Sequence, residues 1–272
     1  MTSAELQSPR VHALAAMPGG QIFCAKQSGL QRSSDNGRTW RNITEPAPTT
    51  AICVMDDGCI FVATVGAVQI SDDAGASWHA RALPSQSTIV SALLATEGAV
   101  LAATLEDGVL RSDDGGRSWR GWNVGLLNWR VNALCRDSEG TIWAGAESGL
   151  FRSDTDGRSW QDQSDFVNSA ILSLAAAEAG RLWLGTTEGA LHSRLNQEAG
   201  WALAHQWQSP INAICTIAER TAVLHGETVS ASDGESVFKA LPFADVTGIE
   251  WLNWSRLLIA TNAGSVQIVE VP

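Results

Sequence analysis

Carboxylate side chains recur in matching turns of this sequence and could take part in acid–base chemistry. They are Glu106, Asp107, Glu147, Glu188 and Glu227. Two carboxylates at a fixed separation act as acid and base in glycoside hydrolysis, whereas a row of carboxylates can attract a basic partner. Acidic turn residues can also be simply solvated, so three interpretations of this row stay open.

A second candidate is the segment of residues 120–130, which is unusually apolar for a connection between elements. Exposed tryptophan beside arginine is typical of residues that anchor a protein interface. The alternative is that Leu126 and Leu127 cap the neighbouring elements and that Trp122 packs on the sheet before it. The candidate anchors are Trp122, Trp129, Arg130 and Trp207. Trp207 lies in a later connection of the same kind.

A repeat sets the spacing of these residues. An eight-residue phrase, Ser-x-Asp-x-Gly-x-Ser/Thr-Trp, occurs three times in full and a fourth time with Thr155 in the Asp slot. The closing tryptophans are 38, 41 and 41 residues apart, and a period near 40 residues indicates a repeat architecture. These tryptophans are Trp40, Trp78, Trp119 and Trp160.

Each phrase predicts a tight turn between two strands. The aspartate can accept hydrogen bonds from the N–H groups of the turn, and the glycine allows a backbone conformation that a Cβ would penalise. The tryptophan ring is expected to be buried at the base of the hairpin. In the fourth phrase we expect Asp154 or Asp156 to replace the missing aspartate. The remaining turn residues are Asp35, Gly37, Asp73, Gly75, Asp114, Gly116 and Gly157.

The segments around each phrase predict four strands per repeat. Three short apolar segments precede the phrase, and a fourth strand begins at its tryptophan. First strands begin near Val11, Thr49, Val90, Val131, Ile171, Ile211 and Val246. Radially repeated four-stranded sheets form a β-propeller, so we predict an all-β protein, a single seven-bladed β-propeller with antiparallel blades.

The predicted blades span approximately residues 10–48, 49–86, 87–128, 129–167, 168–209, 210–244 and 245–272, the last completed by residues 1–9. The seventh repeat stops after its third strand. We therefore expect residues 2–8 to supply the missing strand and to close the ring.

The phrase resembles the Asp-box of BNR-repeat β-propellers. Across nearly the whole chain, the sequence is similar to the photosystem II stability and assembly factor type of propeller. Residues 148–153, Ser-Gly-Leu-Phe-Arg-Ser, match the third strand and phrase start of that type. Sialidases also have Asp-boxes, but they use a tyrosine nucleophile, and this chain contains no tyrosine. A sialidase activity is therefore rejected.

Composition narrows the function further. A net charge of −11 and a pI near 4.8 argue against binding to a nucleic-acid backbone. No apolar run reaches membrane-spanning length, and the N-terminal residues do not match a signal peptide, so we expect no membrane insertion and a cytoplasmic location. The five cysteines are expected to be small buried hydrophobic residues that form no disulfide bond. No motif suggests a metal or another cofactor.

These observations favour a non-catalytic scaffold, assembly factor or accessory subunit that binds another protein or a multi-protein complex. The predicted contact residues are the anchors together with Glu106, Asp107, Glu147 and Glu188. The alternatives are a glycan-binding or glycoside hydrolase-like propeller that uses Glu147 with a neighbouring carboxylate, and a small-ligand site in the central channel. The sequence does not specify the oligomeric state.

Overall fold

The structure is a computed structural model that describes residues 11–17, 20–43, 47–55, 57–86, 88–178, 180–195, 199–233 and 237–271. These residues form short β-strands joined by turns, with one 3₁₀ helix at Ser164–Phe166. The described residues include no helix that is long and apolar enough to span a membrane.

The strands pair in chain order into seven successive sheets. The first sheet contains β1 (Val11–Ala16), β2 (Ile22–Lys26), β3 (Gly29–Ser33) and β4 (Arg41–Asn42). The second contains β5 (Thr49–Val54), β6 (Ile60–Thr64), β7 (Ala67–Ser71) and β8 (His79–Ala82). The third contains β9 (Val90–Ala95), β10 (Val100–Thr104), β11 (Val109–Ser112) and β12 (Arg120–Gly121).

The remaining sheets repeat this pattern. The fourth contains β13 (Val131–Arg136), β14 (Ile142–Ala146), β15 (Gly149–Ser153) and β16 (Gln161–Gln163). The fifth contains β17 (Ile171–Ala176), β18 (Leu182–Thr186), β19 (Ala190–Arg194) and β20 (Ala202–Gln206). The sixth contains β21 (Ile211–Ile217), β22 (Arg220–His225), β23 (Thr228–Ser232) and β24 (Lys239–Ala240). The seventh contains β25 (Val246–Asn253), β26 (Arg256–Thr261) and β27 (Val266–Glu270).

The fold is a seven-bladed β-propeller, which confirms the predicted fold class. In the described part of the chain, six blades have four strands and the seventh has three. The segment of residues 2–8, which we expected to complete the seventh blade, lies outside the described residues.

The chain divides into two compact units, and each has its own apolar core. The first unit comprises Met1–Ala102, Ser112–Arg120 and Asp245–Pro272, and the second comprises Ala103–Arg111 and Gly121–Ala244. One buried cluster of the first unit contains Phe23, Ala25, Leu30, Ile60 and Val62. One buried cluster of the second contains Cys135, Trp143, Leu150, Phe166, Ile171, Leu182 and Leu184. All five cysteines are free thiols. Cys24, Cys135 and Cys215 are buried as expected, whereas Cys53 and Cys59 are only partly buried.

Two glycines allow neighbouring blades of the second unit to pack closely. A Cβ on Gly145 would lie 2.5 Å from Cγ2 of Ile171, and a Cβ on Gly185 would lie 2.4 Å from Cγ2 of Ile211. Both isoleucines begin the first strand of the next blade. Larger residues at either glycine would therefore push consecutive blades apart.

A β-bulge recurs near the start of the first strand in at least six blades, and the sequence analysis did not predict it. The register shifts lie at Val11/Ala13, Thr49/Ala51, Val131/Ala133, Ile171/Ser173, Ile211/Ala213 and Val246/Gly248. In the fourth blade the bulged residue is Asn132, and its Nδ2 donates to the Ile171 carbonyl oxygen at 2.9 Å. The bulge thus links two consecutive first strands.

The hydrogen bonds that we predicted for the eight-residue phrase are present. In the third phrase, Oδ1 of Asp114 accepts from Ser112 Oγ at 2.7 Å and from Ser118 N at 2.8 Å, and Oδ2 accepts from Ser118 Oγ at 2.6 Å. These bonds favour the ionised carboxyl and lower its pKa. The carboxyl groups of Asp35 and Asp73 make equivalent bonds, which lower their pKa to about 2.

The predicted glycines adopt left-handed conformations, with φ between +78° and +84° at Gly37, Gly75, Gly116 and Gly157. The residue before each glycine is also left-handed, which the sequence analysis did not predict. These residues are Asn36, Ala74, Gly115 and Asp156. In the second and fourth phrases, the carbonyl of the first left-handed residue points toward the preceding blade. Arg32 donates to the Ala74 carbonyl oxygen, and Arg111 donates to the Asp156 carbonyl oxygen.

The fourth phrase corrects one prediction. Neither Asp154 nor Asp156 replaces the missing aspartate, because Thr155 itself does so: its Oγ1 accepts from Ser159 N at 2.9 Å. Asp154 instead pairs with Arg152 at 2.9 Å, and Asp156 pairs with Arg111 at 2.9 Å. A threonine hydroxyl therefore suffices to hold this turn, and the two carboxylates take part in ion pairs.

Candidate functional site

The connection between β12 and β13 is held at both ends by the turn between β10 and β11. Trp122 N donates to the Val109 carbonyl oxygen, and Gly108 N donates to the Trp129 carbonyl oxygen, both at 2.9 Å. The Asn123 side chain bridges the same turn: its Oδ1 accepts from Val109 N and its Nδ2 donates to the Asp107 carbonyl oxygen. A Cβ on Gly108 would lie 2.4 Å from Asn123 Oδ1, so this turn requires glycine.

The apolar side chains of this connection differ in their exposure to solvent. Leu126 is buried, whereas Val124, Leu127 and Trp129 are 69%, 76% and 55% exposed. The alternative that both Leu126 and Leu127 cap the fold is therefore wrong for Leu127. Three large apolar groups project into solvent from one short segment.

Trp122 differs from Trp129 in its surroundings. It is only partly exposed, and its Nε1 is buried without a hydrogen-bond partner in the described part of the chain. Its carbonyl oxygen accepts from Trp160 Nε1 at 2.9 Å. Trp122 thus participates in packing between the connection and the fourth phrase, so it is a poorer candidate for an anchor than Trp129.

Arg130 and Glu147 form an ion pair. Arg130 Nε lies 3.0 Å from Glu147 Oε2, with the two side chains 51% and 48% exposed. Glu147 N also donates to the Arg130 carbonyl oxygen at 3.0 Å. A half-exposed pair of this kind contributes less than about 1 kcal/mol to stability, so both charges remain available to a partner.

The turn that carries Glu147 also joins two connections. Ser148 Oγ accepts from Asn128 Nδ2 at 2.8 Å, and the Ser148 carbonyl oxygen accepts from Asn168 N at 3.4 Å. Asn168 follows Val167, which is 52% exposed. We define the Trp129 surface as Leu127, Trp129, Arg130, Glu147 and Val167.

Trp207 belongs to a different aromatic group. Its ring stacks on His225 with centroids 4.5 Å apart, and it lies 4.1 Å from His205 and 5.5 Å from Phe238. Burial lowers the pKa of His225, and the nearby His205 lowers it further. Among the described residues no hydrogen bond or ring contact joins Trp207 to the Trp129 surface. The predicted anchors therefore separate into two places.

The acidic residues have separate local environments. Glu106 is exposed, and Asp107 N donates to Thr104 Oγ1 at 2.9 Å. Oε1 of the exposed Glu188 accepts from the adjacent Thr187 Oγ1 at 2.8 Å. Glu147 is joined to the predicted anchor Arg130 through its carboxylate. Glu188 lies near another predicted anchor, Trp207, because Gln206 Nε2 donates to the carbonyl oxygens of both residues at 2.8 and 2.7 Å. Within the described ranges, no three His, Cys, Asp or Glu side chains are grouped so that they could hold a metal ion.

The first unit contains a cleft that was not predicted from the sequence. It has a volume of about 570 Å³ and lies between the second-blade residues Phe61 and Ile70 and the third phrase, with carboxylates that include Asp72 and Asp113. One sequence feature could have indicated it. Ile70 comes directly before the first serine of the second phrase. In the first and third phrases, the same position holds Arg32 and Arg111.

Comparisons with known proteins identify the fold. No family model matches the chain, and no curated protein matches it. Many solved structures do match. The chain is similar to an extracellular domain of the BT4673 protein from B. thetaiotaomicron, with a TM-score of 0.78, 12% identity and 96% of this chain covered. The chain spans only 38% of that protein chain.

Two other similar structures are matched over nearly their full length. Virginiamycin B lyase from Staphylococcus aureus has a TM-score of 0.80 at 11% identity, covering 98% of this chain and 96% of the lyase. YCF48 from Cyanidioschyzon merolae has a TM-score of 0.72 at 13% identity, covering 98% of this chain and 97% of YCF48. Because all these identities are low, the comparisons show one thing about this chain, that it has a β-propeller fold.

Proposed function

We propose that this protein is a non-catalytic scaffold that binds another protein through the Trp129 surface, and that its eight-residue phrases are Asp-boxes. The observation that carries the proposal is the exposure of Leu127 and Trp129 beside the Arg130–Glu147 pair on a connection fixed at both ends. A large aromatic side chain beside a charged pair is typical of interface anchors. A fixed connection reduces the entropy lost on binding.

The resemblance of residues 148–153 to assembly-factor propellers supports a scaffold role, since Ser148, the first of these residues, bonds the Asn128 side chain beside Trp129. The proposal includes a cytoplasmic location, which five free thiols favour. A glycosidase requires a pair of carboxylates across a substrate site. The carboxylates of Glu147 and Glu188 instead pair with Arg130 and with Thr187, so the scaffold is the better-supported function.

Site-specific photo-crosslinking tests the proposal in the native cell. A photoreactive amino acid replaces Leu127, and in a matched control it replaces Leu203, which is 58% exposed and lies in β20. We expect one defined adduct from position 127 that is absent or much weaker from position 203. Equal labelling at both positions, or no protein adduct at position 127, would contradict a docking role for the Trp129 surface.

A further inference from the structure

Two arginines reach from the third strand of one blade to the eight-residue phrase of the next blade. We call this place a junction, and the arginines show which chemical group fits it. Arg32, in β3, reaches the second phrase, where its Nη1 donates to the Ala74 carbonyl oxygen at 3.1 Å. Arg111, in β11, reaches the fourth phrase in the same way: it donates to the Asp156 carbonyl oxygen and pairs with the Asp156 carboxylate. In both cases a guanidinium group bonds the carbonyl of the first left-handed residue.

The residue that faces the third phrase from the same strand position as these arginines is Ile70, in β7. Ile70 pairs with Phe61 across β6 and β7, as Arg32 pairs with Phe23 across β2 and β3. A Cβ on Gly116 would lie only 2.7 Å from Ile70 Cδ1, so Ile70 packs directly against this phrase. An isoleucine has no donor. Among the described residues, no hydrogen bond reaches the carbonyl oxygen of Gly115, which corresponds to Ala74 and Asp156.

The space beside Ile70 is the cleft of about 570 Å³, and Gly115 is part of its lining. Phe61 and Ile70 line the apolar side of the cleft, where Ile70 is partly exposed and Phe61 is only 2% exposed. Five carboxylates also line the cleft, against two arginines, Arg81 and Arg117. The carboxylates are those of Asp57, Asp72, Glu97, Asp113 and Asp114.

The two arginines make local contacts. Arg117 Nη1 donates to the Asp114 carbonyl oxygen at 3.3 Å, and Arg81 Nη1 donates to the Ala80 carbonyl oxygen at 3.1 Å. The cleft retains a negative environment: burial raises the pKa of the Cys59 thiol, and the carboxylates of Asp57 and Asp72 raise it further. An anion would be repelled from this cleft, whereas a cation would be attracted.

We propose that this cleft binds a guanidinium group carried on an aliphatic stem, as in an arginine side chain. The stem lies along Ile70, and the guanidinium N–H groups donate to the Gly115 carbonyl oxygen and to carboxylates of the rim. The ligand thus takes the place that Arg32 and Arg111 fill at their own junctions. This site is separate from the Trp129 surface, so its failure would leave the proposed scaffold function untouched.

Isothermal titration with two guanidinium probes tests the site. The probes are agmatine and the tripeptide Gly-Arg-Gly, and Gly-citrulline-Gly is the uncharged control with nearly the same shape. We expect the arginine peptide to bind in the micromolar to millimolar range and the citrulline peptide to bind at least about tenfold more weakly, since citrulline lacks the charge. Binding of agmatine as well would show that the guanidinium group suffices, whereas binding of the peptide alone would show that its main chain also contributes.

Variants locate the binding. In Ile70→Arg, the new side chain should fill the cleft as Arg32 and Arg111 do at their junctions, and binding should be lost. The double variant Asp72→Asn/Asp113→Asn should weaken binding by between about threefold and tenfold, and Glu219→Gln, which changes an exposed carboxylate of the other unit, should not change it. Melting curves establish that each variant is folded, and the double variant decides if Ile70→Arg does not fold.

Three results would overturn the proposal. The first is the absence of binding of both guanidinium probes at about 10 mM, a concentration at which even weak sites are occupied. The second is equal binding of the citrulline peptide. The third is unchanged binding of the arginine peptide to folded Ile70→Arg or, if that variant does not fold, to the double variant.

Discussion

Trp160 and Trp129 belong to neighbouring parts of the second unit but have opposite environments. Trp160 is 4% exposed and its Nε1 donates to the Trp122 carbonyl oxygen, whereas Trp129 is 55% exposed and its carbonyl oxygen accepts from Gly108 N. Both are held by backbone hydrogen bonds. The contrast separates a phrase tryptophan that stabilises the fold from a tryptophan in a connection whose ring is available for binding.

The same contrast holds for two other residue types. Arg111 is buried in its pair with Asp156, whereas Arg130 is half exposed in its pair with Glu147. Glu250 lies in β25 with only partial exposure, whereas Glu147 is exposed. Each pair allows one substitution to be compared in two settings.

The largest effect is expected for the tryptophans. Trp160→Ala should lower the free energy of unfolding by about 3–5 kcal/mol, because it removes a buried ring, and Trp119→Ala should behave in the same way. Trp129→Ala should change the free energy of unfolding by less than about 0.5 kcal/mol. Urea unfolding monitored by circular dichroism measures all three. A loss of stability in Trp129→Ala as large as in Trp160→Ala would place Trp129 in the core.

The next effect depends on pH. Burial raises the pKa of Glu250 from 4.5 to about 7, against a smaller opposing effect of the Trp251 N–H bond. The folded state therefore binds this proton more tightly than the unfolded state, and stability should fall as pH rises from about 4.5 through 7, by up to about 3 kcal/mol.

Glu250→Gln should remove this loss and be more stable than the unmodified protein at pH 8. Glu147→Gln should change stability by less than about 1 kcal/mol over the same range, since its pair is exposed. Melting temperatures between pH 5 and 8 give the comparison. Identical pH profiles for Glu250→Gln and the unmodified protein would show that Glu250 ionises without cost in the fold.

The smallest contrast concerns the arginines. Arg111→Ala should destabilise the protein by about 1.5–3 kcal/mol, since it removes charge-assisted hydrogen bonds to Asp156 from a buried side chain. Arg130→Ala should cost less than about 1 kcal/mol. Urea midpoints measure both substitutions. Similar losses in the two variants would mean that burial does not separate these ion pairs.

The repeat made the fold predictable because each phrase carries its own turn chemistry. Asp114, Gly116 and Trp119 form the contacts that their types and spacing predict. The bulges were not predictable, because bulged residues such as Asn132 are set by register and not by residue type. Thr155 was misjudged because a hydroxyl can replace a carboxylate in this turn.

The candidate site was less predictable than the fold. Exposure of Trp129 and burial of Leu126 depend on how the connection follows the Gly108 turn, which residue types alone do not determine. Trp207 looked similar to Trp129 in sequence, but it packs with His225 and Phe238, residues that lie distant in sequence. The sequence shows that Ile70 stands where other blades have Arg32 and Arg111, but it does not show that these arginines bond the next phrase, so the cleft was not predicted.

Docking through Trp129 is best tested by quantitative affinity capture from the native cell with the variant Trp129→Ala. The matched control is Trp254→Ala, because Trp254 is 68% exposed and lies in the first unit. We expect that a stoichiometric partner is recovered with the unmodified protein and with Trp254→Ala, and is lost with Trp129→Ala at an unchanged melting temperature. Retention of that partner by Trp129→Ala would show that the protein does not dock through this residue.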